Sequence, residues 1–177
     1  MKFTKILTLF TLLFSTTFLF AQENPLEKFN TLIGKWEGGG SGFSSSKSVI
    51  QSEFNWIMKN TFIEVKNRSE FEPTPQQPEG EIHEDYGIIS FDKARKIFVF
   101  RQFHVEGFIN QYILNDSVSS ESTFIFESES IENFVPGGTA RFTINIKNES
   151  EIETIFDVGF PGKEMSCFGN NKLKKLK

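Results

Sequence analysis

The chain alternates between short apolar stretches and clusters of turn-forming residues. Most stretches are rich in Val, Ile, Phe, Thr or Tyr, which is typical of β-strands. Turn signals such as Asp92–Arg95 and Pro136–Gly138 separate them, and one longer loop spans residues 73–80. The pattern predicts ten strands, at residues 35–42, 47–57, 60–71, 82–92, 96–105, 107–115, 122–130, 139–147, 150–158 and 164–175.

One short helix is predicted before the first strand. Asn24 is a suitable N-cap, and Pro25 fits the first helical position. Gly34 ends the segment, because glycine disfavours helical conformation. The apolar positions at helical spacing are Leu26, Phe29, Leu32 and Ile33.

The fold class predicted is all-β, an antiparallel up-and-down β-barrel of about ten strands. Consecutive strands joined by short turns form a meander, and a sheet of that length curls until its edges meet. A barrel of this size is wider than its side chains fill, so an internal cavity is expected. We find no internal repeat, linker or second domain.

The first 21 residues have the pattern of a secretory signal peptide. Lys2 and Lys5 are followed by the uncharged run Ile6–Phe20, and Ala21 supplies the small residue before cleavage. The 15-residue run is shorter than the roughly 20 residues of a membrane span, so an uncleaved anchor helix is the weaker alternative. We therefore predict an exported protein, periplasmic or secreted, with residues 22–177 as one domain and no stable membrane anchor.

Charge and composition limit the classes of partner that the mature chain can bind and indicate how its core is built. Without Lys2 and Lys5 it has 17 basic and 23 acidic residues, a net charge of −6, which argues against nucleic acid. Cys167 is the only cysteine, so no internal disulfide can form. Of 22 phenylalanines, 17 follow residue 21, enough to fill a barrel or wall an apolar cavity.

The stretch from Leu32 to Gly40, with its Gly-Lys-Trp-Glu-Gly core, resembles the first strand of calycins. These are the lipocalins, the fatty-acid-binding proteins and, most similar here, the nitrobindin-like barrels. The segment Glu84–Tyr112 is also similar to uncharacterised bacterial exported proteins of this type. The resemblance implies structural roles for Gly34 and Trp36, with Trp36 closing one barrel end. A last-strand cation such as Lys172 or Lys174 is expected over its ring.

The same resemblance raises the question of haem. Nitrobindin-like proteins hold haem iron through a His near the start of the last strand, but the stretch Glu164–Lys172 has none. Met165 and Cys167 are possible iron ligands, with nothing around them that argues for it. We therefore predict no cofactor.

The strand at 96–105 carries three of the six candidate ligand-binding side chains. It is apolar on both faces, so alternation leaves open whether Arg101 or His104 points inward. An internal ion pair with Glu64, Glu84 or Glu106 is the alternative role for Arg101. Fatty-acid-binding proteins hold a ligand carboxylate with internal Arg and Tyr residues, an inventory that Arg101, Arg141, Tyr86 and Tyr112 resemble. The residues predicted to contact a ligand are Arg101, His104, Tyr86, Tyr112, Phe100 and Glu106.

Three functions remain open from the sequence. The first is a barrel that binds a small apolar or amphipathic molecule. The second is an enzyme using the same cavity with His104 as acid or base, although no catalytic motif supports it. The third is a solidly packed barrel that acts as an interaction protein or homodimer. His83 lies beside acidic residues, where a solvated loop is favoured over a metal site.

Overall fold

The structure, a computed structural model, describes residues 24–42, 47–75 and 77–177. A 3₁₀-helix at Pro25–Leu32 precedes ten strands, which confirms the predicted element order. The strands are β1 (Gly34–Gly42), β2 (Lys47–Ile57), β3 (Phe62–Phe71), β4 (Glu81–Asp92), β5 (Ile97–His104), β6 (Ile109–Leu114), β7 (Thr123–Glu132), β8 (Thr139–Asn148), β9 (Glu151–Gly159) and β10 (Ser166–Lys175).

The ten strands form one closed antiparallel barrel. Each strand pairs with the next along the chain, and β1 pairs with β10 to close the sheet. The register places Trp36 opposite Lys175 at this closure. Because closure leaves no sheet edge among these strands, their backbone N–H and C=O groups pair within the barrel. The predicted up-and-down barrel is therefore confirmed.

The N-terminal helix plugs one end of the barrel. Asn24 caps it by accepting a hydrogen bond from the Leu26 amide at 3.1 Å. Phe29 is fully buried, and its ring centroid lies 4.7 Å from that of Phe124 and 5.3 Å from that of Phe98. We call this the closed end of the barrel.

Trp36 packs beside the helix and joins it to the sheet. It is buried, and its indole N–H donates to the Leu32 carbonyl at 2.7 Å. The ammonium over its ring belongs to Lys175, 5.0 Å from the centroid. A last-strand cation therefore covers the ring as expected, but it is Lys175 and not Lys172 or Lys174, because the β1–β10 register places Lys175 opposite Trp36.

Side chains alternate inward and outward along each strand. On β6, Asn110, Tyr112 and Leu114 are buried while the residues between them are partly exposed. Toward the closed end the inward residues are large and apolar, and each buried Phe, Leu or Ile contributes roughly 1.5–3 kcal/mol. Gly87 on β4 leaves room for the Phe100 ring, since a Cβ there would lie 2.5 Å from it.

The predicted signal peptide lies outside the described residues, so its cleavage after Ala21 stays a prediction. Within the part of the chain that the structure describes, no helix has the length and apolar character needed to cross a membrane.

Candidate ligand-binding cavity

A cavity of about 1020 Å³ lies away from the helix, toward the other end of the barrel. β5 shows the arrangement: Phe98 contacts the helix, whereas Gln102 and His104 line the cavity. Six residues along a strand span about 20 Å, so the plug and the cavity occupy opposite ends. We call this the open end of the barrel.

The cavity wall has a polar half and an apolar half. The polar half comes from β3 to β6 and includes Asn67, Ser69, Asp85, Gln102, His104 and Asn110. The apolar half comes mainly from β7 to β9 and includes Ile131, Ala140, Phe142, Phe156 and Val158. Such a wall suits a ligand with one apolar and one polar side.

A chain of hydrogen bonds links residues of three strands in the polar half. Asp85 Oδ1 lies 2.6 Å from His104 Nδ1, and Asn110 Nδ2 lies 3.0 Å from His104 Nε2. Asn110 Nδ2 also donates to the Tyr112 hydroxyl at 2.6 Å, and that hydroxyl donates to Gln102 Oε1 at 3.3 Å. Together these bonds fix the side chains before any ligand arrives.

The partners assign the protons in this chain of bonds. In the His104 tautomer with its proton on Nδ1, that N–H donates to Asp85 and Nε2 accepts from Asn110. Burial raises the pKa of the Tyr112 hydroxyl, which therefore remains a neutral donor. Asn110 is 1% exposed, and its Oδ1 has no hydrogen-bond partner among the described residues.

Aromatic rings extend from His104 to the mouth of the cavity. The His104 ring stacks on Phe108 with centroids 4.0 Å apart and lies 6.0 Å from Phe156. Further ring contacts at 5.6–6.1 Å connect Phe108, Phe134, Phe160 and Phe168 in sequence. These rings offer a continuous aromatic surface along one path into the cavity.

His83 lies near the mouth, on β4 rather than in a loop. Its Nε2 is 2.9 Å from Glu81 Oε1, and its Nδ1 contacts Glu106. The described residues around the cavity thus include three carboxylates, Glu81, Asp85 and Glu106, and no lysine or arginine. No group of three His, Cys, Asp or Glu side chains in the described ranges is placed to hold a metal ion.

Comparison with known proteins shows the barrel fold and no family. No protein-family model matches the chain, and no curated protein matches it. The solved structure of Rv2717c from M. tuberculosis is similar, with a TM-score of 0.61 and 15% identity over 86% of this chain and 97% of that chain. At this identity the likeness shows the fold alone.

Two other solved barrels are more distant. One is EF1p2_mFAP2b bound to DFHBI, with 8% identity, a TM-score of 0.45 and coverage of 83% of this chain and 95% of that chain. The other is a de novo designed fluorescence-activating β-barrel, with 11% identity, a TM-score of 0.43 and the same two coverages.

The structure places four of the predicted ligand-binding residues at or beneath the cavity. His104 and Glu106 line it. Tyr112 and Phe100 are buried beneath it with stacked rings whose centroids lie 5.6 Å apart. Tyr112 reaches the cavity wall through its hydrogen bond with Asn110, while Phe100 supports the floor.

Arg101 and Tyr86 lie on the outer face of the barrel, which corrects their predicted placement in the cavity. Gln102 and His104 point inward, so neighbouring Arg101 points outward, and it donates to Gln111 Oε1 at 2.9 Å. Tyr86 is 40% exposed and pairs with outward-facing Phe103. Arg141 is bound to Asp157 and also does not line the cavity.

Of the six residues named in the polar half, sequence reasoning assigned only His104 to the site. It missed five, among them Asp85, Gln102 and Asn110. The sequence feature that could have identified residues of this set is the hairpin register, which is the pairing of residues across each turn. Counting outward from the Asp92–Arg95 turn pairs Asp85 with His104, and the next turn pairs Gln102 with Asn110. Paired residues share a face, so His104 facing inward brings Asp85 into the cavity.

Proposed function

We propose that this protein binds a small apolar or amphipathic molecule in its barrel cavity. The observation that carries the proposal is the cavity itself, which at about 1020 Å³ is at the upper end of the roughly 300–1,000 Å³ usual for ligand sites. Its apolar half supplies area for burial, and its polar half supplies directed hydrogen-bonding groups. A solidly packed barrel would offer neither.

The polar half supports binding because it is already ordered. Asp85, His104 and Asn110 hold one another through bonds of 2.6 and 3.0 Å. A ligand that meets fixed partners loses less free energy to side-chain ordering. These three residues, with Gln102, are the groups proposed to orient the ligand.

The proposal includes no haem, although the calycin-like resemblance raises it. Both imidazoles at the cavity already have partners on each ring nitrogen: Asp85 and Asn110 for His104, and Glu81 and Glu106 for His83. A neutral nitrogen free to bind iron is therefore lacking at these two residues. The residues around the cavity do not fit an axially ligated haem.

Export is part of the proposal and has a direct test. The apolar run from Ile6 to Phe20 and the small Ala21 support cleavage before Gln22. The full-length chain should yield an exported protein whose intact mass begins at Gln22. A mass that retains Met1, or one found only inside the cells, would contradict export.

An enzyme is the second candidate function, favoured by the Asp85–His104 pair. A carboxylate at 2.6 Å from Nδ1 orients the imidazole as it does in general bases. Since Nε2 accepts from Asn110, a substrate would have to displace that amide. The His104→Gln variant separates the two functions through the compound that it retains. A binding protein and its variant hold the same compound or none, whereas a disabled enzyme accumulates one of different mass.

A homodimer is a further part of the proposal. It is supported by outward-facing Tyr86, Phe103 and Val105, which are 40%, 43% and 61% exposed. The subunit count in a native mass spectrum tests it.

Native mass spectrometry of the protein purified from its cells, beside a denatured spectrum, tests ligand binding. We expect extra mass that disappears on denaturation. The matched control is Ala140→Trp, which places a large ring in the apolar half from a position that is 2% exposed. An adduct that persists in this variant would place the bound molecule outside the cavity and contradict the proposal.

A further inference from the structure

The charge of the cavity wall specifies the polar group of the ligand. Three carboxylates line it, at Glu81, Asp85 and Glu106, and their ion-pair partners are the imidazoles of His83 and His104. Three acids against two imidazoles leave the wall negative whether or not the rings are protonated. No lysine or arginine among the described residues around the cavity compensates this charge.

On the outer face of the barrel the carboxylates have different ion-pair partners. There, carboxylates pair with permanent cations: Arg68 with Glu84 at 2.7 Å, Arg95 with Glu129 at 2.5 Å, and Lys147 with Glu153 at 2.9 Å. The barrel thus places these cations outside and leaves the carboxylates of the cavity without one. An enclosed carboxylate is costly to desolvate unless a positive charge or hydrogen-bond donors compensate it.

Two further features of the cavity complement a cation with N–H donors. The rings of Phe108, Phe134 and Phe156 line the same cavity as the carboxylates, and aromatic rings attract organic cations. Asn110 Oδ1 is a buried acceptor without a partner among the described residues, a state that a ligand N–H would relieve. These features are independent of the carboxylates. The rings favour a cation and the amide oxygen favours an N–H or O–H donor, and a protonated amine meets both requirements.

We propose that the cavity selects an amphipathic amine, with its apolar body against the β7–β9 wall and its ammonium group near Asp85 and Asn110. This inference rests on the proposed binding function and narrows its ligand class. The ammonium supplies the positive charge that the wall lacks, and its N–H groups donate to the carboxylate and to the free amide oxygen.

The inference excludes fatty acids and other carboxylates as the preferred ligands. The resemblance to fatty-acid-binding proteins had implied an internal Arg, but Arg101 and Arg141 lie outside the cavity. A carboxylate ligand would enter a cavity whose wall carries three like charges. Its binding would be penalised unless it took up a proton.

Three fluorescent probes that share the dansyl group test this selectivity in the full chain as purified. Dansylethylenediamine carries a cation, dansylethanolamine a hydroxyl and dansylglycine an anion, at nearly the same position. We expect the amine to bind at least about tenfold more tightly than the carboxylate, with the alcohol between them. The advantage of the amine should shrink as salt is added.

The Asp85→Asn variant tests which group is responsible. It keeps the shape of the side chain and an acceptor for His104, so affinity for the amine should fall about tenfold while affinity for the alcohol changes little. Glu106→Gln, at the more exposed mouth, is a second variant in case Asp85→Asn folds poorly. Asp116→Asn, on a side chain that is 59% exposed, is the control and should change nothing.

The outcomes separate the inference from the function on which it rests. If dansylglycine binds as tightly as the amine, or if neither acidic variant changes their ratio, the amine proposal is wrong while binding stands. If none of the probes binds, the proposed function fails as well.

Discussion

The two ends of this barrel are built from the same strands and differ in what their inward positions carry. At the closed end, Phe29 of the helix packs against Phe98 and Phe124, with ring centroids 5.3 and 4.7 Å away. At the open end, the same alternation presents Gln102, His104 and Asn110 to a cavity. β5 passes through both, so the change of character occurs within one strand.

The difference shows that one sheet can stabilise the fold at one end and leave polar side chains for a ligand at the other. Apolar side chains that fill a closed end contribute free energy of folding through burial. Polar side chains around a cavity contribute less and remain available to a ligand. The buried Tyr112 network lies between the two and links the packed rings to the polar wall.

The largest effect is expected at the closed end. Phe29→Ala should lower the free energy of unfolding by about 3–5 kcal/mol, because it opens a space among rings that cannot collapse freely. Urea denaturation followed by circular dichroism measures this. Phe160→Ala at the mouth, where the ring is 36% exposed, is the matched control and should cost well under half as much. Equal losses would remove the distinction between the two ends.

The second-largest loss of stability is expected from a substitution at Tyr112, which lies between the two ends. Tyr112→Phe removes a hydroxyl that accepts from Asn110 and donates to Gln102. It leaves buried polar groups unpaired, so stability should fall by about 1–3 kcal/mol with the ring packing unchanged. The same denaturation experiment applies. A variant as stable as the wild type would show that the Tyr112 hydrogen bonds do not contribute to the stability of the fold.

A smaller effect is expected for the cation over Trp36. Lys175 lies 5.0 Å from the ring centroid and donates to the Thr31 carbonyl at 3.0 Å. Lys175→Met should cost about 1 kcal/mol of stability. Lys174→Met is the control, because Lys174 is 79% exposed and should lose almost nothing. If the two substitutions cost the same, the cation does not help to hold the closed end.

The smallest loss of stability is expected when low pH protonates carboxylates on the outer face. Hydrogen bonds from Lys66 and Lys147 hold the pKa of Glu64 and of Glu153 below their usual value of 4.5. A lowered folded-state pKa stabilises the protein above the unfolded value, and this contribution is lost as the pH falls through the folded pKa. The free energy of unfolding should therefore decline below about pH 4.5, and less steeply in Glu64→Gln. Parallel pH profiles would contradict this.

The strands and the helix could be predicted because their signals are local. Pro25 with its Asn24 cap and the Asp92–Arg95 turn each act within a few residues. The number and order of the predicted strands were also enough to predict a closed barrel, since a long antiparallel meander curls until its edges meet. Neither inference needs to know which residues meet across the sheet.

The orientation of β5 could not be predicted, because its two faces are similarly apolar. Phe98 and Phe100 lie on one face and Val99 on the other, and all three are buried. The register, which follows from turn geometry, brings Asp85 to His104, and the cavity on the side of His104 places Arg101 outside. The same kind of information placed Lys175, rather than Lys172 or Lys174, opposite Trp36.

The central claim, that the open end holds a small ligand, is tested most directly by titrating dansylethanolamine with direct excitation of the dansyl group. The wild-type chain and Val118→Trp, a substitution at a position that is 54% exposed, should bind the probe equally. Ala140→Trp, which places a large ring in the apolar half of the cavity, should lose most of the affinity while remaining folded. Equal binding by all three proteins, or no binding by the wild type, would contradict the account.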